Sequence, residues 1–282
     1  MNIKEVRHLV TQDCNLRCKH CYVAPEEWRI GETVHNYSQR FYDAFYWRIK
    51  PEMTSITGWE PLLKKDIVFK IARSIANYNW RVELVTNSYF LDSKTVDELN
   101  SINPKTIYQI SLDWLEDYHN HIRWDAFAFE KVMRAIRLLL DKWAYIKIRL
   151  TATSENFWSI RQVIGLLEGY GSENIELVIR SVISKWNAIK NRLILDKDMN
   201  MSEITSPLIK VSITDNEWKC GCWIDTIAIS PAWDIYPCTY FIWNDKFKMW
   251  NITDSILGLQ ENADFLSFNW ACYARSIQFA SL

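Results

Sequence analysis

Glycine is the residue this chain most conspicuously lacks. Its 282 residues include only seven glycines, where ordinary usage predicts about twenty. Tryptophan runs the other way, at 15, and the two together come close to the glycine number expected. No low-complexity segment is present, and no repeat beyond the alternation of strand-like and helix-like segments. No apolar run reaches membrane-spanning length and no secretory signal opens the chain, so no membrane partner is expected. Net charge is -1; without a basic excess, nucleic acid is not an expected partner. What remains is an ordinary soluble composition, 49% hydrophobic and 24% charged, long enough for one large domain and a small one.

What is present in quantity is cysteine, seven in all, and grouped. Cys14, Cys18 and Cys21 stand at C-x3-C-x2-C spacing directly after a short apolar strand, Val6 to Val10. Three thiolates from one loop hold three corners of a four-iron cluster and leave the fourth iron open to a substrate or cofactor. Ferredoxin runs, by contrast, supply a full set of cysteines. Half a zinc site, or small buried hydrophobes, are the plainer readings of the same three residues. The grouping points to metal rather than to disulfides. Thiolate clusters need a reducing compartment, which places the protein in the cytoplasm.

Strand-like and helix-like segments alternate along the first two thirds of the chain. Strands are expected at Val6–Val10, Met53–Thr57, Arg81–Thr86, Thr106–Leu112, Ile146–Thr151 and Ile175–Val182. Helices are expected at Tyr37–Ile49, Ile67–Tyr78, Ser93–Asn100 with Ser93 as N-cap, Phe129–Lys142 and Ser159–Tyr170. Six βα repeats imply an α/β fold, a partial (β/α)6 barrel, with its site at the C-terminal strand ends. The cysteine loop, Gly58–Pro61, Asn87, Ser111 to Asp113 and Thr151 to Ser154 all fall there. Residues 185–215 read as polar and irregular. We therefore expect a barrel over residues 1–185 and a small C-terminal cysteine-rich, cluster-binding domain over 186–282.

The cysteine loop, with the aromatic His20 just before Cys21, resembles the signature of the radical S-adenosylmethionine (radical SAM) superfamily. Thr57-Gly58-Trp59-Glu60-Pro61 resembles that family's GGEP element, whose acidic residue receives the amino group of the cofactor's methionine part. The resemblance assigns that role to Glu60, with Gly58 and Trp59 as the close-approach positions, although a real indole at Trp59 would crowd the cofactor. Thr86-Asn87-Ser88 looks like the family's TNG. Ser111-Leu112-Asp113-Trp114, with His119 and Arg123-Trp124 beyond, is similar to an SLDG…H…RG stretch whose polar residues approach the ribose. Arg149 and Arg180, on strands five and six, are each as readily a structural ion pair as a grip on a carboxylate.

Further on, Cys220, Cys222, Cys238 and Cys272, with Ile229-Ser-Pro-Ala-Trp-Asp-Ile-Tyr-Pro-Cys238 among them, resemble the entry to the auxiliary-cluster domains called SPASM or twitch. The resemblance implies a [4Fe-4S] cluster on the first three cysteines, S-adenosylmethionine on its open iron, and a second, auxiliary [4Fe-4S] cluster. A zinc knot would suit the same four thiolates, and Cys220 and Cys222 compete for one ligand position. The implied activity is reductive cleavage of S-adenosylmethionine to a 5′-deoxyadenosyl radical and hydrogen abstraction from a peptide or protein side chain. A flavodoxin or ferredoxin would supply the electron. Small-molecule chemistry is the alternative substrate class. Sulfatase-maturing relatives carry an acidic base just after the Pro-Cys step, where this chain has Thr239, which argues against that activity. With the cysteine loop starting at residue 14, no separate peptide-binding domain is expected ahead of it.

The tryptophans now acquire a pattern. Trp59, Trp114, Trp124 and Trp233 stand where these motifs carry glycine, and Trp80 and Trp143 follow helix-like stretches where a C-terminal glycine belongs. Some bacterial lineages read UGA as glycine. We expect many of these tryptophans to be glycines in the native protein. Were Trp59 and Trp114 real, a non-catalytic metal-bound scaffold would be the competing reading.

Overall fold

The computed structural model describes residues 3–23, 34–78, 80–196, 198–214, 222, 224–242 and 244–252. Strands β1 (Glu5–Leu9), β2 (Met53–Thr57), β3 (Arg81–Thr86), β4 (Ile107–Ser111), β5 (Tyr145–Ala152) and β6 (Ile175–Ser181) lie side by side in chain order. All these neighbours are parallel, which requires a crossover between each pair. Helices supply them: α1 (Gln39–Ile49), α2 (Lys65–Ala76), α3 (Ser93–Ile102), α4 (Glu116–Arg123), α5 (Ala128–Asp141) and α6 (Ile160–Glu168), followed beyond β6 by α7 (Trp186–Lys190).

The expected six strands are thus present, and the sheet continues past both edges. β7 (Lys210–Ile213) adds in parallel to β6. Its four residues are too short a run to stand out from the polar stretch around it. On the other edge β8 (Thr226–Ile229) pairs in parallel with β1, and β9 (Asp234–Tyr236) and β10 (Trp250–Asn251) follow antiparallel. One ten-stranded sheet therefore runs through both halves of the chain.

β3 and β5 alternate in burial rather than reading apolar throughout. In β5, Ile146, Ile148, Leu150 and Ala152 are buried against the helices, while Tyr145, Lys147, Arg149 and Thr151 are half-buried on the other face. A parallel sheet covered on both faces would be apolar throughout. Here the concave face is polar, so the barrel interior is a chamber. The helices close the convex face with apolar stripes, Ile67, Val68, Ile71 and Ile75 on α2 and Val132, Ala135, Ile136 and Leu139 on α5.

Two local expectations change. Asp92, not Ser93, caps α3: its carboxylate accepts from the Thr95 N–H at 2.7 Å, a shorter and charge-assisted bond. α4, whose apolar stripe is too short to stand out in the sequence, carries His119, Ile122 and Arg123 inward from an acidic first turn. Among the tryptophans, Trp124 (φ 54°), Trp143 (φ 56°) and Trp233 (φ 65°) adopt the left-handed conformation that favours glycine. Trp124 closes α4 and Trp143 follows α5. Trp59, Trp80 and Trp114 do not share that conformation. Trp233 differs again, because its indole is buried among His8, Tyr37, Phe41, Tyr42 and Phe45.

Candidate functional site

The loop after β1 is fastened to the turn after β2. Trp59 N–H donates to Thr11 O at 3.1 Å and Glu60 N–H to Asp13 O at 3.0 Å. This close approach requires Gly58, whose φ is +140°; a Cβ there would meet Thr11 O at 2.7 Å. The pairing brings the cysteine loop over the C-terminal ends of the strands, where it roofs a cavity of about 240 Å³. Cys14, Cys18, His20 and Cys21 line it, with Gly58, Trp59, Asn87 and Ser111.

Glu60 and Asp113 stand behind the wall rather than in it. Glu60 is fully buried. Its Oε1 accepts from Leu62 N–H (3.0 Å) and Thr86 Oγ1 (2.7 Å), and its Oε2 from Asn87 N–H (2.8 Å). Burial lifts its pKa to about 7 against the pull of those three bonds. A carboxylate offers about four acceptor positions, so one remains on the Oε2 side. Asp113 takes Arg123 Nε at 2.7 Å on Oδ2 and Thr151 N–H at 3.1 Å on Oδ1. Burial alone would raise its pKa, but the Arg123 guanidinium outweighs it, then His20 and His119, and holds it at about 2. Its backbone N–H donates to His119 Nδ1 at 3.1 Å, which fixes the tautomer of that ring.

The cysteine loop fits an iron–sulfur cluster. Burial raises all three thiols, Cys14 and Cys21 to about 12 and Cys18 likewise upward, so the sulfurs need a cation to ionise them. Donors already approach two of them: Leu16 N–H at 3.3 Å and Asn87 Nδ2 at 3.8 Å from Cys14 Sγ, and Arg123 Nη1 at 3.7 Å from Cys18 Sγ. Hydrogen bonds to ligand sulfur are one of the levers by which a protein sets cluster potential. His20 Nδ1 is buried with no hydrogen-bond partner among the described residues. Among those residues, no three Cys, His, Asp or Glu side chains close on a point where a single ion would sit.

Of the C-terminal cysteines, Cys238 is buried at the end of β1 beside Leu9, Tyr236 and Phe241, and Cys222 packs against the same group. Cys220 and Cys272 lie outside the described residues. No described cysteine is in a disulfide. Tyr240, two residues past Cys238, reaches the cavity and meets Tyr22 edge-on at 5.1 Å. Sequence reasoning passed over both tyrosines; the position of Tyr240 just beyond the Pro-Cys-Thr step was the available signal.

A parallel barrel whose mouth is roofed by a three-cysteine loop is a cluster-binding α/β fold. The model of the radical SAM superfamily matches residues 9–167, more than half of the chain, and the chain belongs to that superfamily. It is 21% identical over 255 residues to the antilisterial bacteriocin subtilosin biosynthesis protein AlbA of Bacillus subtilis (strain 168), covering 86% of this chain and 56% of AlbA. It is 26% identical over 169 residues to an AdoMet-dependent heme synthase of Oleidesulfovibrio alaskensis, covering 58% of this chain and 42% of that protein. The chain thus spans about half the length of these curated relatives. In fold it is similar to Streptococcus suis SuiB bound to S-adenosylmethionine (TM-score 0.73, 13% identity, 95% of this chain and 68% of SuiB). It is also similar to anSMEcpe with bound AdoMet (TM-score 0.65, 16% identity, 94% of this chain and 80% of that one). No described helix is long and apolar enough to cross a membrane.

Proposed function

We propose that this chain is a radical SAM enzyme acting on a peptide or protein side chain. The observation that carries the chemistry is the meeting of Cys14, Cys18 and Cys21 at one cavity, with N–H donors placed on two of their sulfurs. These cysteines would hold the [4Fe-4S] cluster. When bound there, S-adenosylmethionine supplies a 5′-deoxyadenosyl radical for hydrogen abstraction. Gly58 lets the backbone come close, and Ser111 and His20 face the chamber. Glu60 pins the Gly58–Pro61 turn to Asn87 and keeps one acceptor position for the cofactor's amino group. Asp113 holds Arg123 against Cys18 and fixes the end of β5 through Thr151.

Residues 186–282 act as an auxiliary-cluster region on the 1–185 barrel, with Cys238, Cys272 and one or both of Cys220 and Cys222 as ligands. Metal analysis separates the readings: two clusters give about eight iron atoms per chain, whereas a zinc knot gives about four and one zinc. The peptide reading is supported by the reach of the AlbA match, 86% of this chain, against 58% for the heme synthase and 41% for a GTP 3′,8-cyclase of Campylobacter lari. SuiB, moreover, has been solved bound to precursor peptide SuiA. Small-molecule chemistry is the second reading, favoured by those same two shorter matches. The electron comes from a flavodoxin or ferredoxin, and the setting is a reducing cytoplasm.

The test is anaerobic incubation of the iron-loaded, reduced protein with S-adenosylmethionine. Release of 5′-deoxyadenosine supports the proposal; none from a chain with full iron ends the enzyme reading.

A further inference from the structure

Deep in the barrel, Glu83 and Glu176 are each met by a cation. Lys147 Nζ lies 2.9 Å from Glu83 Oε1, and Ser55 Oγ donates to the other oxygen at 2.8 Å. Glu176 is met by Lys210 at 3.0 Å and by the hydroxyls of Tyr145 and Ser212. One layer nearer the mouth this matching stops. Arg149 on β5 and Arg180 on β6 both line the cavity. The Nε of each is buried with no hydrogen-bond partner among the described residues. Neither guanidinium has an ion pair among those residues, since the nearby Glu83 is already taken by Lys147.

An arginine cannot shed its proton to relieve this. Burial and then the like charge of Arg180 pull the pKa of Arg149 down, which marks a cost left for a ligand to offset. Arg180 lies over the Tyr240 ring at 5.3 Å. That contact uses the flat face of the guanidinium and leaves its N–H edge to donate. The position also matters. Gly58, Glu60 and Asn87, on the proposed methionine side, follow β2 and β3; Arg149 and Arg180 stand on the facing wall, β5 and β6, next to Tyr240 of the C-terminal region.

We propose that Arg149 and Arg180 form a carboxylate-binding subsite for the substrate, so that the molecule taken into this chamber carries an acidic group. For a peptide this is an Asp or Glu side chain or a C-terminus. The proposal rests on the radical SAM reading of the cavity. The other source of the same chemistry is the carboxylate of S-adenosylmethionine itself, and the test separates the two.

The full chain, iron-loaded and saturated with S-adenosylmethionine, is titrated with glutarate and with its neutral counterpart glutaramide. Glutarate is expected to bind about tenfold tighter, the preference that one charge-assisted contact supplies. Arg180→Gln and Arg149→Gln each abolish the preference, Arg180→Lys keeps part of it, and affinity for S-adenosylmethionine stays unchanged in all three, which also shows that they fold. Equal binding of glutarate and glutaramide by the unsubstituted protein overturns the proposal. So does an Arg180→Gln protein that keeps the glutarate preference and loses S-adenosylmethionine, because the guanidinium then serves the cofactor. Failure of the unsubstituted protein to bind S-adenosylmethionine, seen before glutarate is added, overturns the reading of the site and this proposal with it.

Discussion

Replacing Trp124 and Trp143 by glycine is expected to stabilise the protein. Both residues are left-handed, at φ 54° and 56°, a conformation that costs an L-residue about 1–2 kcal/mol. Glycine removes that cost but adds about 0.4–1 kcal/mol of unfolded-state entropy. The indoles are 73% and 85% exposed, so little apolar burial is lost. The net is a gain of about 0.5 kcal/mol per site and about 1 kcal/mol for the pair, a rise in Tm of about 2–4 °C. Urea and thermal melts of the single and double variants read it directly. A double variant that melts lower than the parent would refute the reasoning. Trp233 provides the contrast. It is also left-handed, at φ 65°, but only 1% exposed, so Trp233→Gly opens a cavity costing about 3–5 kcal/mol, offset by about 1. A loss below about 1 kcal/mol there would mean that the aromatic shell closes without the indole. Intact mass of the protein from its own cells then decides which of the 15 positions are glycine: each such position lowers the mass by the Trp-to-Gly difference, and a mass matching the written chain removes the recoding proposal.

Three further outcomes follow from the site. Glu60 titrates at about 7 when folded, above its unfolded value, so the folded state holds the extra proton between about pH 4.5 and 7. Stability of the cluster-free protein therefore falls by about 3 kcal/mol as pH rises through that window, and Glu60→Gln flattens the profile; a parent profile already flat there removes the argument. Arg123→Gln strands the buried Asp113 carboxylate and is expected to cost about 3–5 kcal/mol in a denaturant melt, with recovery in the Arg123→Gln, Asp113→Asn pair. The cavity, at about 240 Å³, is smaller than the roughly 300–1,000 Å³ of ligand pockets, and Trp59 forms part of its wall. Trp59→Gly should tighten S-adenosylmethionine binding about tenfold or more by calorimetry; unchanged affinity would show that the indole does not obstruct the site.

The sequence by itself determined the fold class and the chemical centre. The alternation of strand-like and helix-like segments placed β2 and β3 at their observed bounds; in β3, Val82, Leu84 and Thr86 are buried on one face, and a one-residue slip would expose them. The cysteine loop was legible because its three cysteines are neighbours in sequence, and the fold brings all three to one cavity. Only the tertiary structure decided what depends on distant segments. α4 was hidden because its helical stripe is short, and its Arg123 matters through Asp113 and Cys18, ten and 105 residues away. Glu60 proved to be a buried anchor because its partners Thr86 and Asn87 arrive from the next strand. That Arg149 and Arg180 have no ion pair among the described residues was likewise not legible in one dimension. It turned on whether a carboxylate from another strand came within reach, and Lys147 had already claimed Glu83.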